Sequence, residues 1–317
     1  MGEKMKEKIS VVIPCYKCED TILYVINEIV KTMQEHQHES FEVILVDDGS
    51  PDNTFSVLEK AASQNKHLIA VELSRNFGQH SALMAAYSFV TGDYIVGMDD
   101  DGEHDPRDMF KLIDKLQEGF DYVCASFGTE NKSLYKRLGS KLNNWMATNF
   151  IGKPHDAIFS SYYVMRRFVV DKILETHNPN PYIGGMIVSV TQKLAYISLE
   201  KHCRISGESG YHFRNSVALW INGVTAFSIK PLRCAMFIGT IISIIGFFLA
   251  IFFMLRKILV SDISPGFTSI ISVICIIGGL NMIILGMIGE YVGRIYMICN
   301  HIPQYSVRKI VKKDIEK

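Results

Sequence analysis

The stretch YIVGMDDDGEH, residues 94–104, carries the strongest fold signal in the chain. It begins as a short apolar run of the kind that forms a buried strand, and it passes directly into three consecutive aspartates. Acidic groups crowded at the end of a buried strand repel one another and lose hydration, which is costly without a cation. We therefore predict that this strand ends at a ligand-binding edge of a sheet.

The spacing of the aspartates selects two of them as metal ligands. Side chains at i and i+2 of an extended segment project to the same side, so Asp99 and Asp101 can share one hard cation. Mg²⁺ and Mn²⁺ are the divalent metals that fit such oxygen ligands, with substrate phosphates completing the shell. The alternative is a solvated acidic turn before the helix that Pro106 begins.

On both sides of this stretch, short apolar strands alternate with amphipathic helices over most of the first half of the chain. The predicted strands are 9–13, 42–46, 68–73, 94–98, 122–125 and 160–165, and the predicted helices are 20–33, 54–62, 81–89, 107–117, 132–150 and 167–175. This alternation predicts an α/β fold with a mostly parallel, Rossmann-like sheet covered on both faces. Ligands of such sheets bind at the carboxyl ends of the strands.

A second acidic pair follows the second predicted strand, in the stretch VDDGSPD at residues 46–52. Asp47 and Asp48 can accept hydrogen bonds from a base and a ribose. These are also ordinary turn residues, and Asp52 could instead cap the next helix. The recurrence of acidic pairs at one predicted sheet edge favours a nucleotide site.

Composition excludes some partners and leaves others open. Lysine plus arginine equals aspartate plus glutamate at 33 each, so no excess charge points to nucleic acid. The seven cysteines are irregularly spaced, which argues against a disulfide framework. Cys15 and Cys18 form a C-x-x-C pair without a second pair, and we interpret them as reduced thiols.

Two apolar runs near the C-terminus predict a membrane hairpin. Residues 235–255 and 267–289 contain no charged side chain, and about 20 apolar residues span a bilayer as a helix. Buried core helices are the alternative to the two spans, and a core-facing helix is the alternative to an interfacial helix over 211–228. The predicted regions are a soluble domain at 1–210, an interfacial amphipathic segment at 211–233, a transmembrane hairpin at 234–292 and a basic cytoplasmic tail at 293–317. Flanking lysine and arginine predict a multi-pass protein of the cytoplasmic membrane, with the soluble domain and both termini in the cytoplasm.

Four motifs in this order resemble the family 2 glycosyltransferases, which have the GT-A fold. They are IPCY at 13–16, VDDGS at 46–50, LSRNFG at 73–78 and MDDD at 98–101. More narrowly, RISGESGY at 204–211 and FSIKPLR at 227–233, followed by two spans, resemble polyprenyl-phosphate glycosyltransferases. That group includes bactoprenol glucosyltransferase and dolichyl-phosphate mannose synthase.

The resemblance implies roles for residues that composition and spacing leave open. The implied nucleotide and donor contacts are Pro14, Tyr16, Asp47, Asp48, Arg75, Asn76 and Asp100, and Asp99 with Asp101 would hold the metal. Glu19 is the candidate ribose contact, because Lys17-Cys18 stands where the family usually has Asn-Glu.

The candidate acceptor-phosphate contacts are Lys136, Arg137, Ser140 and Arg204. Lys136 and Arg137 could equally form a solvated helix face. Asp156, near the acceptor, would orient it more than deprotonate it.

The function that this resemblance implies is an inverting transfer of a sugar from a nucleotide diphosphate sugar to polyprenyl phosphate. The motifs do not choose among UDP-glucose, UDP-N-acetylglucosamine and GDP-mannose, although we favour UDP-glucose. One alternative is a processive polysaccharide synthase, which normally has more spans and a Gln-x-x-Arg-Trp motif. Another is a non-catalytic membrane scaffold that binds nucleotide sugar. We also expect a homo-oligomer, for which glycines such as Gly278 and Gly286 would allow close helix packing.

Overall fold

The computed structural model describes residues 7–127, 158–200 and 267–313, together with scattered positions between 232 and 255. Its contacts divide the chain into two units. The first comprises Met1–Gly223 with Ile302–Lys317, and the second comprises Val224–His301. The C-terminal residues therefore return to the first unit.

Helices and strands alternate through the first unit as the sequence predicts. In chain order the described elements are β1 (Ile9–Cys15), α1 (Ile22–Glu35), β2 (Phe41–Asp47), α2 (Thr54–Gln64), β3 (Leu68–Leu73), α3 (Gln79–Tyr87), β4 (Tyr94–Gly97), α4 (Asp108–Gln117), β5 (Tyr122–Phe127), β6 (Tyr163–Arg166), α5 (Arg167–Leu174), α6 (Ile183–Val190), β7 (Leu194–Leu199) and β8 (Val307–Lys312). The second unit contributes α7 (Phe267–Cys299).

One eight-stranded sheet organises the first unit, in the order β7-β5-β6-β4-β1-β2-β3-β8. The pairs β1-β2, β2-β3, β1-β4 and β5-β7 are parallel, whereas β4-β6, β5-β6 and β3-β8 are antiparallel. The predicted mostly parallel α/β sheet is confirmed. Because β2 and β4 lie on opposite sides of β1, the strand order reverses at β1, and the crevice beside such a reversal binds ligands in open α/β sheets.

Apolar periodicity explains how the helices cover this sheet. The buried face of α1 carries Ile22, Val25, Ile26, Ile29 and Met33, the spacing of an amphipathic helix that packs on one side. Every residue of β2 is buried, as expected for a strand covered on both faces. Helix α3 is buried from Ser81 to Tyr87 and therefore lies inside the fold.

Three elements of the first unit were not predicted as such: α6, β7 and β8. The segment predicted as a basic tail contains β8, which pairs antiparallel with β3 at the edge of the sheet. The predicted helix at 132–150 and the interfacial segment at 211–233 lie outside the ranges that the structure describes, apart from position 232, which is helical.

The second unit contains a long apolar helix. Helix α7 begins at the start of the predicted second span and continues past its predicted end to Cys299. Its segment Ile277–Cys299 is long and apolar enough to cross a membrane and is only 6% buried, the sole described helix with that length and composition. Glu290 and Arg294 form an ion pair of 2.7 Å on this helix, at the i, i+4 spacing that brings helical side chains together. The first predicted span is described only at scattered positions, and these are helical.

Candidate functional site

Two acidic segments lie at the sheet edge on either side of β1: Asp47–Asp48 at the end of β2 and Asp99–Asp101 after β4. In the sheet register Cys15 of β1 lies beside Asp47 of β2, and the next backbone N–H, that of Asp48, donates to the Cys15 carbonyl at 2.9 Å. On the other side, the Met98 N–H donates to the Val12 carbonyl at 3.1 Å and directs β4 into the aspartates. The sequence-predicted edge is therefore a real feature of the fold.

Asp48 organises the loop that follows β3. Its two carboxylate oxygens accept the N–H groups of Phe77 at 2.7 Å and Gly78 at 2.8 Å. Burial raises the pKa of this carboxyl group, and the two hydrogen bonds oppose that effect. The sequence indicates an acidic residue here but not which N–H groups it faces. Asp48 therefore shapes the site through the loop that it holds.

Gly49 allows that loop to approach the second strand closely. Its φ is +63°, and a Cβ atom at this position would lie 2.5 Å from the carbonyl carbon of Arg75 and 2.7 Å from the nitrogen of Asn76. A side chain would therefore meet backbone atoms that cannot easily move. Arg75 and Asn76, which are predicted to contact the nucleotide-sugar donor, are both exposed. The Arg75 guanidinium lies 4.4 Å from the Phe77 ring centre.

Consecutive aspartates after β4 have different partners. Asp99 accepts hydrogen bonds from Gln79 Nε2 at 3.3 Å and from the Ser161 hydroxyl. Asp100 instead accepts the Tyr16 N–H at 3.1 Å, and Asp101 accepts the Glu103 N–H at 3.0 Å.

Burial governs the acidity of these aspartates. It raises the pKa of Asp99, and it raises the pKa of Asp100 to about 6. Like charge on their neighbours acts in the same direction. Both carboxylates would therefore be stabilised in their ionised form by a nearby positive charge.

His104 fixes the backbone where the aspartates begin, a role that sequence reasoning missed. Its Nδ1 accepts the Asp99 N–H at 3.3 Å, so the ring proton resides on Nε2, which lies 3.9 Å from an Asp99 carboxylate oxygen. The imidazole stacks between Tyr162 at 4.8 Å and Phe127 at 5.5 Å. This stacking holds the turn that presents Asp99.

The loop between β1 and α1 links both acidic segments. Tyr16 donates its N–H to Asp100, while its side chain is 45% exposed at the edge. The Lys17 N–H donates to the Ser50 hydroxyl at 3.1 Å. Glu19, predicted as a ribose contact, accepts the Asn53 N–H at 2.9 Å and so holds the start of α2. This loop therefore has hydrogen bonds to one acidic segment and to the residues that follow the other.

A cavity of about 600 Å³ opens beside Asp99. One wall is the amino end of α3, and the other includes the loop before α6, which no sequence motif marks as part of a site. The lining residues are Pro14, Phe77, Gly78, Gln79, His80, Ser81, Leu83, Met98, Asp99, Tyr122, Phe159, Ser160, Ser161, Tyr163, Asn180, Pro181, Tyr182, Ile183, Gly184 and Ile187. Burial lowers the pKa of His80 to about 4, so this imidazole is neutral at pH 7.

The acidic edge fits a hard divalent cation by the chemistry of its donors. Carboxylate oxygens are the preferred ligands of Mg²⁺ and Mn²⁺. Within the described ranges, no lysine or arginine forms an ion pair with Asp47, Asp48 or Asp100. A cation would therefore offset the burial and mutual repulsion that raise the pKa values of these groups.

The C-x-x-C pair lies next to this edge. Ligand atoms of Cys15, Cys18 and Asp100 lie within 4.8 Å of one another. Burial, with a hydrogen bond to Cys18, raises the pKa of the Cys15 thiol well above its usual range, which keeps that thiol protonated.

Five predicted site residues lie outside the described ranges. They are Lys136, Arg137, Ser140, Asp156 and Arg204. The acceptor side of the prediction therefore rests on the sequence.

Comparison with known proteins identifies relatives over nearly the whole chain. The family model for glycosyl transferase family 2 matches residues 10–174. An undecaprenyl-phosphate 4-deoxy-4-formamido-L-arabinose transferase from Proteus mirabilis (strain HI4320) is 30% identical over 307 residues, 96% of this chain and 94% of its own. The protein of the same name from Photorhabdus laumondii is 31% identical over 314 residues, 98% of this chain and 96% of its own.

Solved structures share the fold at lower identity. Glucosyl-3-phosphoglycerate synthase from Mycobacterium tuberculosis, in complex with Mn²⁺, UDP-glucose and phosphoglyceric acid, has a TM-score of 0.53 at 18% identity and covers 70% of this chain and 79% of its own. Mannosyl-3-phosphoglycerate synthase from Rubrobacter xylanophilus has a TM-score of 0.51 at 19% identity and covers 72% of this chain and 74% of its own. On the family match and the two full-length relatives, this chain belongs to glycosyl transferase family 2, and it is a glycosyltransferase whose α/β domain has the GT-A fold.

Proposed function

We propose that this glycosyltransferase moves a sugar from a nucleotide diphosphate sugar to a polyprenyl phosphate at the cytoplasmic face of a membrane. The observation that carries the proposal is the pair of acidic segments around β1, opening on a cavity lined by Asp99. The two similar transferases, whose names specify undecaprenyl phosphate, support the acceptor class. The exposed apolar helix α7 supports a membrane location.

The residues at the acidic edge have complementary roles in this proposal. Asp99 and Asp101 would hold Mg²⁺ or Mn²⁺, which when bound stabilises the negative charge of the departing nucleotide diphosphate. Asp47 and Tyr16 would contact the nucleotide, and Arg75 with Asn76 would line the donor pocket. The M. tuberculosis synthase with bound Mn²⁺ and UDP-glucose supports this use of the fold.

The acceptor phosphate supplies the nucleophile. One of its oxygens attacks the anomeric carbon, the bond to the nucleotide diphosphate breaks, and the configuration inverts. The second pKa of a phosphate monoester is about 6, so the nucleophile is ionised at neutral pH and gains little from a general base. Lys136, Arg137, Ser140 and Arg204 would bind this phosphate, and Asp156 would orient it.

A transfer assay tests the proposal directly. Membranes containing the protein are incubated with labelled UDP-glucose, UDP-N-acetylglucosamine, GDP-mannose or the UDP-activated formamido-arabinose, and with undecaprenyl phosphate or phosphoglyceric acid. Label from one donor is expected in the lipid extract. Transfer to phosphoglyceric acid and not to the lipid would contradict the proposed acceptor, and the donor panel decides between UDP-glucose and the sugar of the similar transferases.

Asp99→Asn tests whether the acidic edge performs the chemistry. The variant keeps the size of the side chain and removes the charge, so the initial rate is expected to fall by about a hundredfold. Ser63→Ala, an exposed change on α2, is the matched control. Chelation with EDTA should abolish transfer by the wild type and added Mg²⁺ or Mn²⁺ should restore it. An unchanged rate in Asp99→Asn would contradict a catalytic role for the acidic edge, whereas a wild type that binds nucleotide sugar and transfers none would favour the scaffold alternative.

A further inference from the structure

The C-terminal segment Gln304–Lys313, here named the strap, contacts the two loops that carry residues lining the cavity. On one side, the Ser74 N–H donates to the Ser306 carbonyl at 2.8 Å. The Arg308 guanidinium donates to the Ser74 carbonyl at 3.0 Å and to Glu72 at 3.1 Å. Ser74 begins the loop whose far end, Phe77 and Gly78, is held by Asp48 and lines the cavity.

The other end of the strap holds the opposite wall. Gln304 Nε2 donates to the carbonyls of Thr176 at 2.7 Å and Asn178 at 2.9 Å. These residues precede Asn180, Pro181 and Tyr182, which line the cavity. A primary amide has two N–H donors, so this one side chain closes both bonds.

The geometry points to Gln304 and Arg308 as positioning residues for the cavity beside Asp99, which in the proposed function, on which this inference rests, receives the sugar of the donor. The two walls belong to separate loops, one after β3 and one between α5 and α6. A segment more than 100 residues away in sequence bonds to both, with separations of 126 and 234 residues for the Asn178 and Ser74 contacts. The strap therefore sets the distance between the walls, and its loss should widen the cavity without removing any residue that touches substrate.

If β8 served only to cover the sheet edge, the loss of any of its side-chain contacts should affect the two loops equally. Strand β8 also covers the edge of β3, which would otherwise expose unpaired backbone groups. Lys309 belongs to the same strand, and its ammonium pairs with Glu59 of α2 at 2.7 Å. Neither residue lines the cavity. Lys309→Ala is therefore a matched control that removes a strap contact away from the cavity.

Hydrogen–deuterium exchange on the full-length protein tests this inference without any substrate. Gln304→Ala should raise exchange in residues 176–182, and Arg308→Ala should raise it in residues 74–78. The expected factor is about three- to tenfold, the effect of one net hydrogen bond. Gln304→Glu has the same shape without N–H donors and should behave like Gln304→Ala. Unchanged exchange in both loops, or an equal rise with Lys309→Ala, would overturn the inference.

Kinetics with the donor that the wild-type enzyme transfers provide the second test. The KM for that donor should rise about three- to tenfold in Gln304→Ala and Arg308→Ala, with kcat within about twofold, and Arg308→Lys should recover part of the loss. A fall in kcat at unchanged KM would overturn the inference. A wild type that transfers no sugar would contradict the proposed function instead, while the exchange experiment would still decide the role of the strap.

Discussion

At the scale of single residues, the pKa values of carboxyl groups at the two ends of β2 are shifted in opposite directions. At the carboxyl edge, burial raises the pKa values of Asp47 and Asp48. At the amino edge, burial also acts to raise the pKa of Glu42, but hydrogen bonds from Lys8, Ser10 and Thr91 outweigh it and the pKa is lowered. Hydrogen bonds thus outweigh burial for Glu42 at the amino edge, whereas burial prevails for the carboxyl groups at the proposed ligand edge.

Glu42 should make stability depend on pH. Because its folded pKa lies below the unfolded value of 4.5, its contribution is fully present above pH 4.5 and is lost as the pH falls through the folded pKa. Glu42→Gln should lower the unfolding free energy by about 1 to 3 kcal/mol at pH 7. The difference in Tm from the wild type should shrink below pH 4.5. Glu118→Gln, in an exposed pair with Lys115, should change little at either pH. A gap in Tm for Glu42→Gln that is equal at pH 7 and pH 4 would refute this assignment.

Gly49→Ala should damage both stability and the donor site. The positive φ costs about 1 to 3 kcal/mol for a residue with a side chain, and the added methyl group displaces the Arg75–Asn76 backbone. We expect a lower Tm and a higher KM for the donor. Gly119→Ala is the control, because its φ of +112° strains the backbone while no atom lies within 4 Å of the added Cβ. That variant should lose stability and keep the donor KM, and equal KM values for the two variants would contradict the role of Gly49.

At the scale of elements, the alternation of short apolar runs with helical patterns predicted the strands and helices from β1 to α4 within a few residues. It missed α6 and β8, whose residues have a low intrinsic preference for the secondary structure that they adopt or do not show its apolar pattern. Helix α6 contains adjacent glycines and four β-branched residues, so its helical form depends on burial in the fold. Strand β8 carries Arg308, Lys309 and Lys312, and this charge obscured the alternation expected of a strand. Lysine on an edge strand also prevents unwanted pairing.

The site could be predicted only as far as residue type and chain order allow. The sheet edge, the acidic segments and their order follow from the sequence. The partners do not, because Asp48 and Glu19 face backbone N–H groups that only the folded loops bring near. The second wall of the cavity comes from residues 180–187, which carry no motif.

Helix α7 should depend on its apolar surface for membrane insertion. Ile283 and Leu285 are 62% and 60% exposed in the chain alone, so lipid is the expected neighbour. Arginine near the centre of a membrane helix costs about 2.5 to 3.5 kcal/mol. Ile283→Arg with Leu285→Arg should sharply reduce the carbonate-resistant membrane fraction. Ile310→Arg, a change on β8 at a residue that is 53% exposed, should leave that fraction intact, and an unchanged fraction in the double variant would argue against a membrane-spanning α7.

At the scale of the whole molecule, the sheet constrains how the chain can cross a membrane. Strand β8 pairs with β3, so the residues after α7 lie on the same side of any membrane as the catalytic domain. A chain that returns to its starting side crosses an even number of times. If α7 spans the membrane, a second crossing must precede it, and the uncharged run 235–255 has the required length.

Reporter fusions should therefore place the two termini on one face of the membrane and the turn between the apolar runs on the other. Reporters attached before Met1 and after Lys317 are expected in the cytoplasm, and one inserted at residues 257–266, between the two apolar runs, is expected on the opposite face. Sugar transfer by each fusion, measured in the same membranes, would verify that β8 still completes the sheet. A reporter at 257–266 that stays cytoplasmic in an active fusion would mean that neither run spans the membrane. The enzyme would then meet its lipid acceptor from the surface alone, and the exposed apolar face of α7 would have to lie along the interface.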